Sequence, residues 1–503
     1  MSRMQGTAVC NGPEAAGRKL VPIDLLAHAD FSGRLRHSKH HIGYAAFATT
    51  VDRLRRENPA GTLLLDAGDA FCTTFWGGSP CVRAVSLLGT DVMTLGNHEF
   101  DRGQAFLNAC IGEAGFPILC ANVVERATGA LIPGTRPYVL LERAGVRIGV
   151  LGITTEYTPY MVTAASFAPY EVRSAVEACR RFVPQMRREG AEITVLLAHV
   201  PFYTDGAQAS GELVDILRGI PPVDVCIGGH IPGDYAGLVG DTVLLKGGFA
   251  GKSLCRARLW FDPDARKLVR RSYRVLETDP DIVPEEPYRA YEAEVTAPFS
   301  GFFEDVLATT DETWRIRLSA ETRLGNFLAG CVQEAAGTQI AYLNATSAGG
   351  AIEPGPVTAE DVTEVMGFND PILCADITGE QLYRLFELVY EPSRFGNNAG
   401  LLFAGLVVYA DHTKPAFSKI QKLTLADGTP VERGATYTVA TSEYMASGGN
   451  DTGEVANALT WRETGVRVYD ALFDSIRRHG GLYVSPEQRL HEIGRPENDN
   501  SPF

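Results

Sequence analysis

The segment Leu95–Asp101 (Leu-Gly-Asn-His-Glu-Phe-Asp) combines residue types that bind metal ions with residue types that transfer protons. It overlaps the apolar run 91–95, which predicts a buried strand that ends in a glycine turn. Asn97 offers a neutral carbonyl oxygen to a divalent cation. His98 precedes Asp101 by three residues, a spacing at which a carboxylate can orient an imidazole. Taken alone, the segment is equally compatible with a turn that carries a surface histidine.

Polar side chains of the same kind follow four further apolar runs. They are Asp30 after 21–29, Asp69 after 62–65, His199 after 193–198 and His230 after 223–227. A single histidine is more often a hydrogen-bonded structural residue, but five such groups at five strand ends are not expected by chance. Carboxylate, amide oxygen and imidazole together suit Mn, Fe or Zn rather than a soft thiolate site. We therefore predict a metal site formed by Asp30, Asp69, Asn97, His199 and His230.

Helical patterns separate these apolar runs, for example over 43–56 and 173–188. Strands that alternate with helices indicate an α/β layer with functional groups at the strand ends. A second series of predicted helices and strands begins near Trp314 and indicates an α+β domain. The predicted organisation is a loose N-terminus at 1–18, a first domain at 19–282, a linker helix at 283–312, a second domain at 313–493 and a polar tail at 494–503.

Length and composition agree with two domains and exclude several classes of protein. A chain of 503 residues is too long for one compact core. Its net charge of −15 argues against a nucleic-acid or anionic-membrane surface. The 10 cysteines show no CxxC pairs and are predicted to be reduced core thiols. The sequence contains neither a signal-peptide pattern nor an apolar run long enough to cross a membrane, so we predict a cytoplasmic protein.

Short motifs in both halves of the chain occur in one characteristic order. In the first half they are Leu25–Asp30, Asp66–Asp69, Gly96–Glu99, Ala198-His199 and Gly229-His230; in the second they are Leu324–Phe327, Asn344, Gly355–Thr358, Thr378-Gly379 and Tyr444–Gly449. In this order they resemble the two-domain 5′-nucleotidase family of calcineurin-like metallophosphatases. The resemblance implies a four-layer α/β/β/α metallophosphatase domain followed by a smaller α+β 5′-nucleotidase C-terminal domain.

The resemblance also implies roles for the residues at the strand ends. In the family, two metals share one aspartate, which corresponds to Asp69, and Asn97, His199 and His230 complete the second metal. His98 with its partner Asp101 would stabilise the transferring phosphoryl group. The implied cofactor is a divalent metal, Mn, Fe or Zn, as one or two ions.

The chain departs from the family pattern at the first metal, which needs Asp-x-His and the second member of a Gly-His-x-His or Gly-His-x-Gln pair. Here Ser32 and Pro232 occupy those two positions. Three interpretations remain, of which we favour a single metal. In the second, His28 or the histidines within 37–41 replace the missing ligands. In the third, the site is degenerate and the protein binds its ligand without catalysis.

The substrate side departs from the family as well. The family loop Asn-x-Gly-Gly-Ile-Arg aligns its asparagine with Asn344, but 346–349 read Thr-Ser-Ala-Gly and the arginine is absent. This change suggests a less anionic substrate, or one bound in the opposite orientation. The family holds a base between two aromatic rings; Tyr444 matches one ring, and Phe395 or Phe403 is the candidate for the other, with core packing favoured for Phe403.

The leading hypothesis is a metal-dependent phosphoesterase that hydrolyses a nucleotide or a related small phosphate ester at an atypical, mononuclear site. An alternative keeps the scaffold but uses Fe or Mn for non-hydrolytic redox chemistry on a nucleoside-like compound. Another alternative is a catalytically degenerate binding protein, although retention of His98 and Asp101 argues against it. The predicted partner is a small molecule, with no nucleic acid and no membrane, and the sequence gives no oligomeric state.

Overall fold

The computed structural model describes residues 5–6, 19–71, 76–318, 320–391 and 400–494. These residues form two compact units, which divide between Pro298 and Phe299. The predicted loose N-terminus and polar tail lie almost entirely outside the described residues.

Eight of the described strands form one sheet in the first unit. Across the sheet they are Gln5–Gly6, Lys267–Glu277, Ser253–Asp262, Val21–His28, Thr62–Asp66, Val92–Thr94, Ile118–Leu119 and Thr135–Arg136. The strands from Val21–His28 onward run parallel to one another. Their carboxyl ends therefore lie at a common edge.

Six of the described strands form a second sheet in the same unit. Across the sheet they are Tyr235–Val239, Thr242–Lys246, Val225–Gly228, Ile193–His199, Val146–Thr154 and Tyr138–Arg143. The four central strands are parallel. Near-continuous apolar runs such as Ile193–His199 are expected here, because a parallel strand is covered on both faces.

Alternating side chains of the strands create the layers of the first unit. Leu25 of the first sheet lies in one buried cluster with Val195 of the second sheet, so the two sheets pack face to face. Leu26 belongs instead to the cluster with the helices on the outer face of the first sheet, and Leu196 to that on the outer face of the second. The predicted four-layer α/β/β/α domain is confirmed.

The helices of the first unit occupy the two outer layers or its loops. They are Tyr44–Arg56, Ser79–Leu87, Gly103–Glu113, Thr158–Met161, Ala164–Phe167, Ala175–Arg188, Glu212–Gly219 and Tyr288–Thr296. Two strand pairs lie outside the large sheets, Val123–Glu125 with Tyr170–Val172 and Tyr203–Asp205 with Gln208–Ser210. None of the helices among the described residues has the length and apolar character that a membrane span requires.

The prediction of one linker helix over 283–312 is wrong. That segment consists of the helix Tyr288–Thr296, the 3-10 turn Ala297–Phe299, the short helix Ser300–Glu304 and the strand Val306–Thr310. Pro298 interrupts a continuous helix because it lacks an N–H and its ring clashes with the preceding turn. Gly301 is also a poor helix former.

The second unit is the smaller α+β domain predicted from the sequence. Its main sheet has, in order, Leu401–Ala404, Ile340–Asn344, Thr436–Ser442, Pro371–Thr378 and Arg462–Arg467, and a smaller sheet has Ile420–Leu425, Leu406–Asp411 and Leu490–Ile493. Two short pairs are Val306–Thr310 with Gly355–Thr358 and Trp314–Arg315 with Ala351–Ile352. The helices are Arg323–Ala336, Ala359–Val365, Gly379–Tyr390, Glu443–Ala446, Gly453–Ala456 and Val468–His479.

Side-chain caps begin several of these helices where the sequence changes from strand to helix. Thr378 accepts a hydrogen bond from the N–H of Gln381, whose side chain accepts one from the N–H of Thr378 in return. The eight cysteines among the described residues are free thiols, and all but Cys374 are buried, as the sequence predicts.

Candidate metal centre

The parallel strands of the first unit bring the predicted metal-binding residues to one edge. Asp30, Asp69 and Asn97 follow three neighbouring strands of the first sheet. His199 ends a central strand of the second sheet, and His230 follows the neighbouring strand by two residues. Carboxyl ends of neighbouring parallel strands are a common location for ligand sites.

Asp69 and His199 form the buried part of this cluster. Nε2 of His199 lies 3.0 Å from Oδ2 of Asp69, while Nδ1 donates a hydrogen bond to the Ala67 carbonyl oxygen at 2.8 Å. Burial lowers the affinity of His199 for a proton, but the carboxylates of Asp69 and Asp30 outweigh it and raise its pKa to about 9. The same carboxylates favour a metal cation in place of that proton.

The remaining predicted ligands surround this pair. Nδ1 of His230 lies 2.8 Å from Oδ1 of Asn97, and the rings of His230 and His199 meet edge to face at 5.3 Å between centroids. The Asp30 carboxylate accepts hydrogen bonds from the His230 N–H at 3.0 and 3.2 Å. Donor atoms of Asp69, His199 and His230 all lie within 4.8 Å of one another.

The spacing and chemistry of these donor atoms fit one divalent cation. Two ligand atoms that bind one ion at about 2.1 Å and at right angles lie about 3.0 Å apart. The Asn97–His230 and Asp69–His199 separations are 2.8 and 3.0 Å. In addition, Nε2 of His199 is buried without a well-directed hydrogen-bond partner among the described residues. Two imidazoles, a carboxylate and an amide oxygen suit a borderline metal such as Mn, Fe or Zn.

The backbone around the cluster is held in a conformation that ordinary residues avoid. Asp30, Asp69 and His230 have φ values of 56°, 58° and 77°, and each such residue costs about 1 kcal/mol or more. Glycines allow close packing here, since a Cβ on Gly96 would lie 2.1 Å from Oδ1 of Asp69 and one on Gly229 would lie 3.0 Å from Nδ1 of His199. Strain of this kind is typical of functional sites.

His98 and Asp101 form the hydrogen-bonded pair that the sequence predicts. Nδ1 of His98 donates to Oδ2 of Asp101 at 2.9 Å, and the His98 N–H donates to Oδ1 of Asp69 at 3.0 Å. Burial opposes a charge on His98, but Asp101 and then Asp69 outweigh it and raise its pKa to about 10. A hydrogen-bonded histidine–carboxylate pair therefore lies directly beside the cluster.

Glu99 has a structural role that its place in the Gly96–Glu99 motif does not predict. Its buried carboxylate accepts four backbone N–H groups, from Gly96 at 2.7 Å, Asp69 at 2.9 Å, Ala70 at 2.8 Å and Phe71 at 3.0 Å. It thereby fixes the loop that carries Asp69 against the loop that carries His98. An acidic residue directly after His98 was the feature of the sequence that could have indicated this role.

The structure places the candidate replacement ligands outside the cluster. Nε2 of His28 lies 3.8 Å from Oδ2 of Asp66 in the core, and burial lowers the pKa of His28 to about 4. Ser32 donates its hydroxyl to the Asp69 backbone carbonyl at 3.4 Å. Among the described residues, the cluster of metal-binding groups includes neither His28 nor a histidine of 37–41.

Two of the predicted substrate-binding residues lie at neighbouring strand ends in the second unit. Asn344 ends the strand Ile340–Asn344, which is parallel to Thr436–Ser442, and Tyr444 follows that strand by two residues. The Asn344 amide donates to the Thr346 hydroxyl at 2.9 Å, whereas its Oδ1 is buried with no partner among the described residues.

The aromatic residues of this region have different environments. The Tyr444 ring packs on Gly449, where a Cβ would lie 2.4 Å from the ring, and its hydroxyl donates to Oδ1 of Asn450 at 3.2 Å. Phe403 is 6% exposed and packs against Phe386 at 5.3 Å between ring centroids, so it is a core residue as favoured above. Phe395 lies outside the described residues.

Two family models match the chain in the order of its two units. The calcineurin-like phosphoesterase model matches residues 37–234, and the model of the 5′-nucleotidase C-terminal domain matches residues 306–456. The chain belongs to the two-domain 5′-nucleotidase family. Its membership makes it a hydrolase of the metallophosphoesterase class, for which a divalent metal is implied.

Members of this family are similar to the chain over most of its length. Protein UshA of Yersinia enterocolitica is 26% identical over 530 residues, which cover 94% of each chain. The snake venom 5′-nucleotidase of Gloydius brevicauda is 25% identical over 516 residues, covering 91% of this chain and 85% of that protein. The crystal structure of a 5′-nucleotidase precursor from Thermus thermophilus superposes with a TM-score of 0.80 at 23% identity, over 95% of this chain and 100% of that one. This last similarity supports the fold alone.

Proposed function

We propose that this chain is a metal-dependent phosphoesterase that hydrolyses a nucleotide or a related small phosphate ester at a centre with one divalent ion. The observation that carries the proposal is the buried cluster of Asp69, His199 and His230 with the hydrogen-bonded pair of His98 and Asp101 beside it. A histidine–aspartate pair next to a cation site can accelerate phosphoryl transfer, because catalysis of this reaction depends on positioning the reactants and stabilising charge.

In this proposal Asp69, Asn97, His199 and His230 hold the ion, with Asp30 next to them. When bound, a divalent cation lowers the pKa of a coordinated water and neutralises charge on phosphoryl oxygens. The donor set limits the metal to Mn, Fe or Zn.

His98 contributes charge and a donor to the phosphoryl group. The Nε2–H of a protonated His98 can donate to an oxygen that gains negative charge in the transition state. Asp101 accepts from Nδ1 of His98 at 2.9 Å and so fixes the orientation of the ring. Asp101 is therefore a positioning residue in this proposal.

The contacts of the altered residues support one ion rather than two. Ser32 uses its hydroxyl on the Asp69 backbone carbonyl, and Pro232 has no side-chain donor atom. Nε2 of His28 lies in the core, 3.8 Å from Oδ2 of Asp66, and the cluster of metal-binding groups among the described residues does not include it. Among the described residues on this side of the cluster, Asp30 and a shared Asp69 are the side-chain ligands left for a second ion.

The second unit supplies recognition in this proposal. The unpartnered Oδ1 of Asn344 can accept a hydrogen bond from a hydroxyl or amino group of the substrate. The Tyr444 ring offers a flat apolar face to a base. Relatives named as 5′-nucleotidases support a nucleotide as the substrate class.

Phosphate release from a nucleoside 5′-monophosphate, with Mn²⁺ added to the purified full chain, tests this function. We expect release that stops on chelation and returns with the metal. Asp264→Asn is a matched control, because Asp264 is an exposed carboxylate remote in sequence from the cluster. Absence of phosphate release from nucleotides, sugar phosphates and p-nitrophenyl phosphate alike would contradict the proposal.

A further inference from the structure

Residues 155–166 of the first unit connect two parts of the proposed site. The segment follows a strand that pairs in parallel with the strand of His199. At its start, the Thr155 N–H donates to the His199 carbonyl oxygen at 2.9 Å. At its end, the Ser166 hydroxyl donates to the Asp101 carbonyl oxygen at 2.7 Å. One short stretch of chain therefore contacts both a proposed metal ligand and the partner of His98.

The Ser166 hydroxyl belongs to a chain of hydrogen bonds that has one direction. A hydroxyl has a single proton, and the Asp101 carbonyl can only accept, so Ser166 donates its proton to Asp101. The Thr163 hydroxyl lies 2.7 Å from Oγ of Ser166 and is therefore the donor to it. Thr163 also caps the short helix Ala164–Phe167, where its Oγ1 accepts from the Ser166 N–H at 3.3 Å. The serine hydroxyl is thereby oriented toward Asp101.

The turn that carries His98 and Asp101 is held by a contact at each end. At its start, the His98 N–H donates to Oδ1 of Asp69 at 3.0 Å. At its end, the Asp101 N–H donates to the His98 carbonyl at 3.2 Å, and the Asp101 carbonyl accepts from Ser166. These contacts restrict the backbone of Asp101, and with it the direction of the carboxylate that binds Nδ1 of His98.

Aromatic packing supports the same turn independently of the serine hydroxyl. The Phe100 ring lies 5.1 Å from the Phe167 ring and 5.2 Å from the Tyr170 ring between centroids, in edge-to-face contacts. All three side chains are buried. Loss of the Ser166 hydroxyl should therefore leave the turn folded and change mainly the orientation of its last residue.

We propose that Ser166 is a positioning residue for hydrolysis, which orients the Asp101 carboxylate and through it the His98 ring. The hydrogen bonds described for its hydroxyl join it to Asp101 and Thr163, not to a proposed metal ligand. A small misplacement of a reacting group slows the chemical step, so the effect should be on rate rather than on binding of metal or substrate. The inference rests on the function proposed above.

Hydrolysis of adenosine 5′-monophosphate by the full chain with saturating Mn²⁺ tests this role. We expect Ser166→Ala to lower kcat about tenfold, the lower end of the effect typical of residues that support a functional group. KM, and the Kd for Mn²⁺ in calorimetry, should change by less than about twofold. Ser166→Thr, which keeps the hydroxyl, should restore the wild-type kcat. Ser174→Ala is the matched control, because Ser174 also caps a helix but its described hydrogen bond is to the Glu177 N–H.

A double-mutant cycle separates positioning of the pair from general support of the fold. If Ser166 acts through Asp101, adding Ser166→Ala to Asp101→Ala should slow the reaction by less than about twofold further. A further loss of about tenfold in that background would overturn the inference, since independent effects multiply. An unchanged kcat of Ser166→Ala alone would overturn it as well.

Ser166→Cys replaces the alanine variant if that protein does not fold. A thiol is similar in size to a hydroxyl but is a weak donor, so we expect the same fall in kcat of about tenfold. A wild-type kcat of this variant would overturn the role of Ser166. Absence of phosphate release by the wild type from any ester would contradict the proposed function and the inference with it, whereas normal wild-type hydrolysis with an unchanged variant rejects the inference alone.

Discussion

The proposed metal-binding edge of the first unit and the proposed substrate-binding residues of the second unit are positioned in different ways. In the first, all five predicted ligands converge, because each follows a strand whose parallel neighbours fix its position. In the second, Asn344 and Tyr444 lie at adjacent strand ends, but the residues that replace the family arginine lie in a loop. In the proposed function the residues of the chemistry lie at strand ends, whereas substrate choice depends on loops, which change more easily.

This difference implies that variants of the first unit should affect every substrate, and variants of the second only those with a base. The largest effect is expected for Asp69→Asn, which removes the charge at the centre of the cluster. Mutating a residue that only supports a metal ligand typically lowers activity or metal affinity about 10- to 100-fold. Loss of the ligand itself should have a larger effect, so we expect at least about 100-fold slower phosphate release. Equal losses with a nucleoside monophosphate and with glycerol phosphate, together with loss of Mn²⁺ binding in calorimetry, would bear this out. Near-normal activity of Asp69→Asn would contradict the role of the first unit in the chemistry.

His98→Asn should slow catalysis without removing the metal. We expect kcat to fall about 100-fold or more, because a positioned donor and its charge are lost. Asp101→Asn should cost less, about 10- to 100-fold, since it acts only through the orientation of His98. Steady-state kinetics give the change in kcat of each variant, and a Mn²⁺ titration gives the change in its metal affinity. A fall in metal affinity as large as the fall in kcat would assign His98 to the ligands instead.

Glu99→Gln tests the support of the centre. An amide cannot accept all four N–H groups that the Glu99 carboxylate binds. We expect the free energy of unfolding to fall by about 2–3 kcal/mol, with weaker Mn²⁺ binding. Glu387→Gln is the matched variant of the second unit, where the carboxylate accepts the N–H groups of Lys419 and Ile420. Glu387→Gln should lower the free energy of unfolding measured in urea but leave Mn²⁺ affinity unchanged. Weaker Mn²⁺ binding by Glu387→Gln as well would contradict the assignment of metal binding to the first unit.

The smallest expected effect belongs to Tyr444→Leu. Stacking of a base on an aromatic ring contributes about 1–3 kcal/mol, so KM for a nucleotide should rise about tenfold with little change in kcat. Hydrolysis of glycerol phosphate, which has no base, should not change. Tyr444→Phe keeps the ring and serves as the control. A similar loss with both esters would show that Tyr444 supports the fold rather than the substrate.

Most of the fold and the members of the metal cluster were predictable from the sequence. The strands Val21–His28, Thr62–Asp66 and Ile193–His199 are apolar runs that end in polar residues, and parallel pairing then determines where those residues meet. The linker over 283–312 was predicted wrongly because its Glu, Ala and aromatic content outweighed Pro298, which lies just after the end of the helix Tyr288–Thr296.

Other features depend on contacts that a linear pattern does not contain. Lys246 at the end of a strand resembles a solvent-exposed lysine in the sequence, yet its side chain is buried and its Nζ lies against Phe202. Similarly, His28 and Asp30 have the spacing of two residues on one strand face, yet the left-handed turn at Asp30 separates them. His28 consequently lies in the core, with its Nε2 3.8 Å from Oδ2 of Asp66.

The central claim is that one divalent ion is sufficient for hydrolysis at this centre. The most direct test adds Mn²⁺ stepwise to the chelator-stripped full chain while phosphate release from a nucleoside monophosphate is measured, with bound metal counted in each sample. We predict that activity reaches its maximum at one bound ion per chain. Activity that appears only as a second ion binds, or metal binding with no hydrolysis of any phosphate ester, would contradict the account.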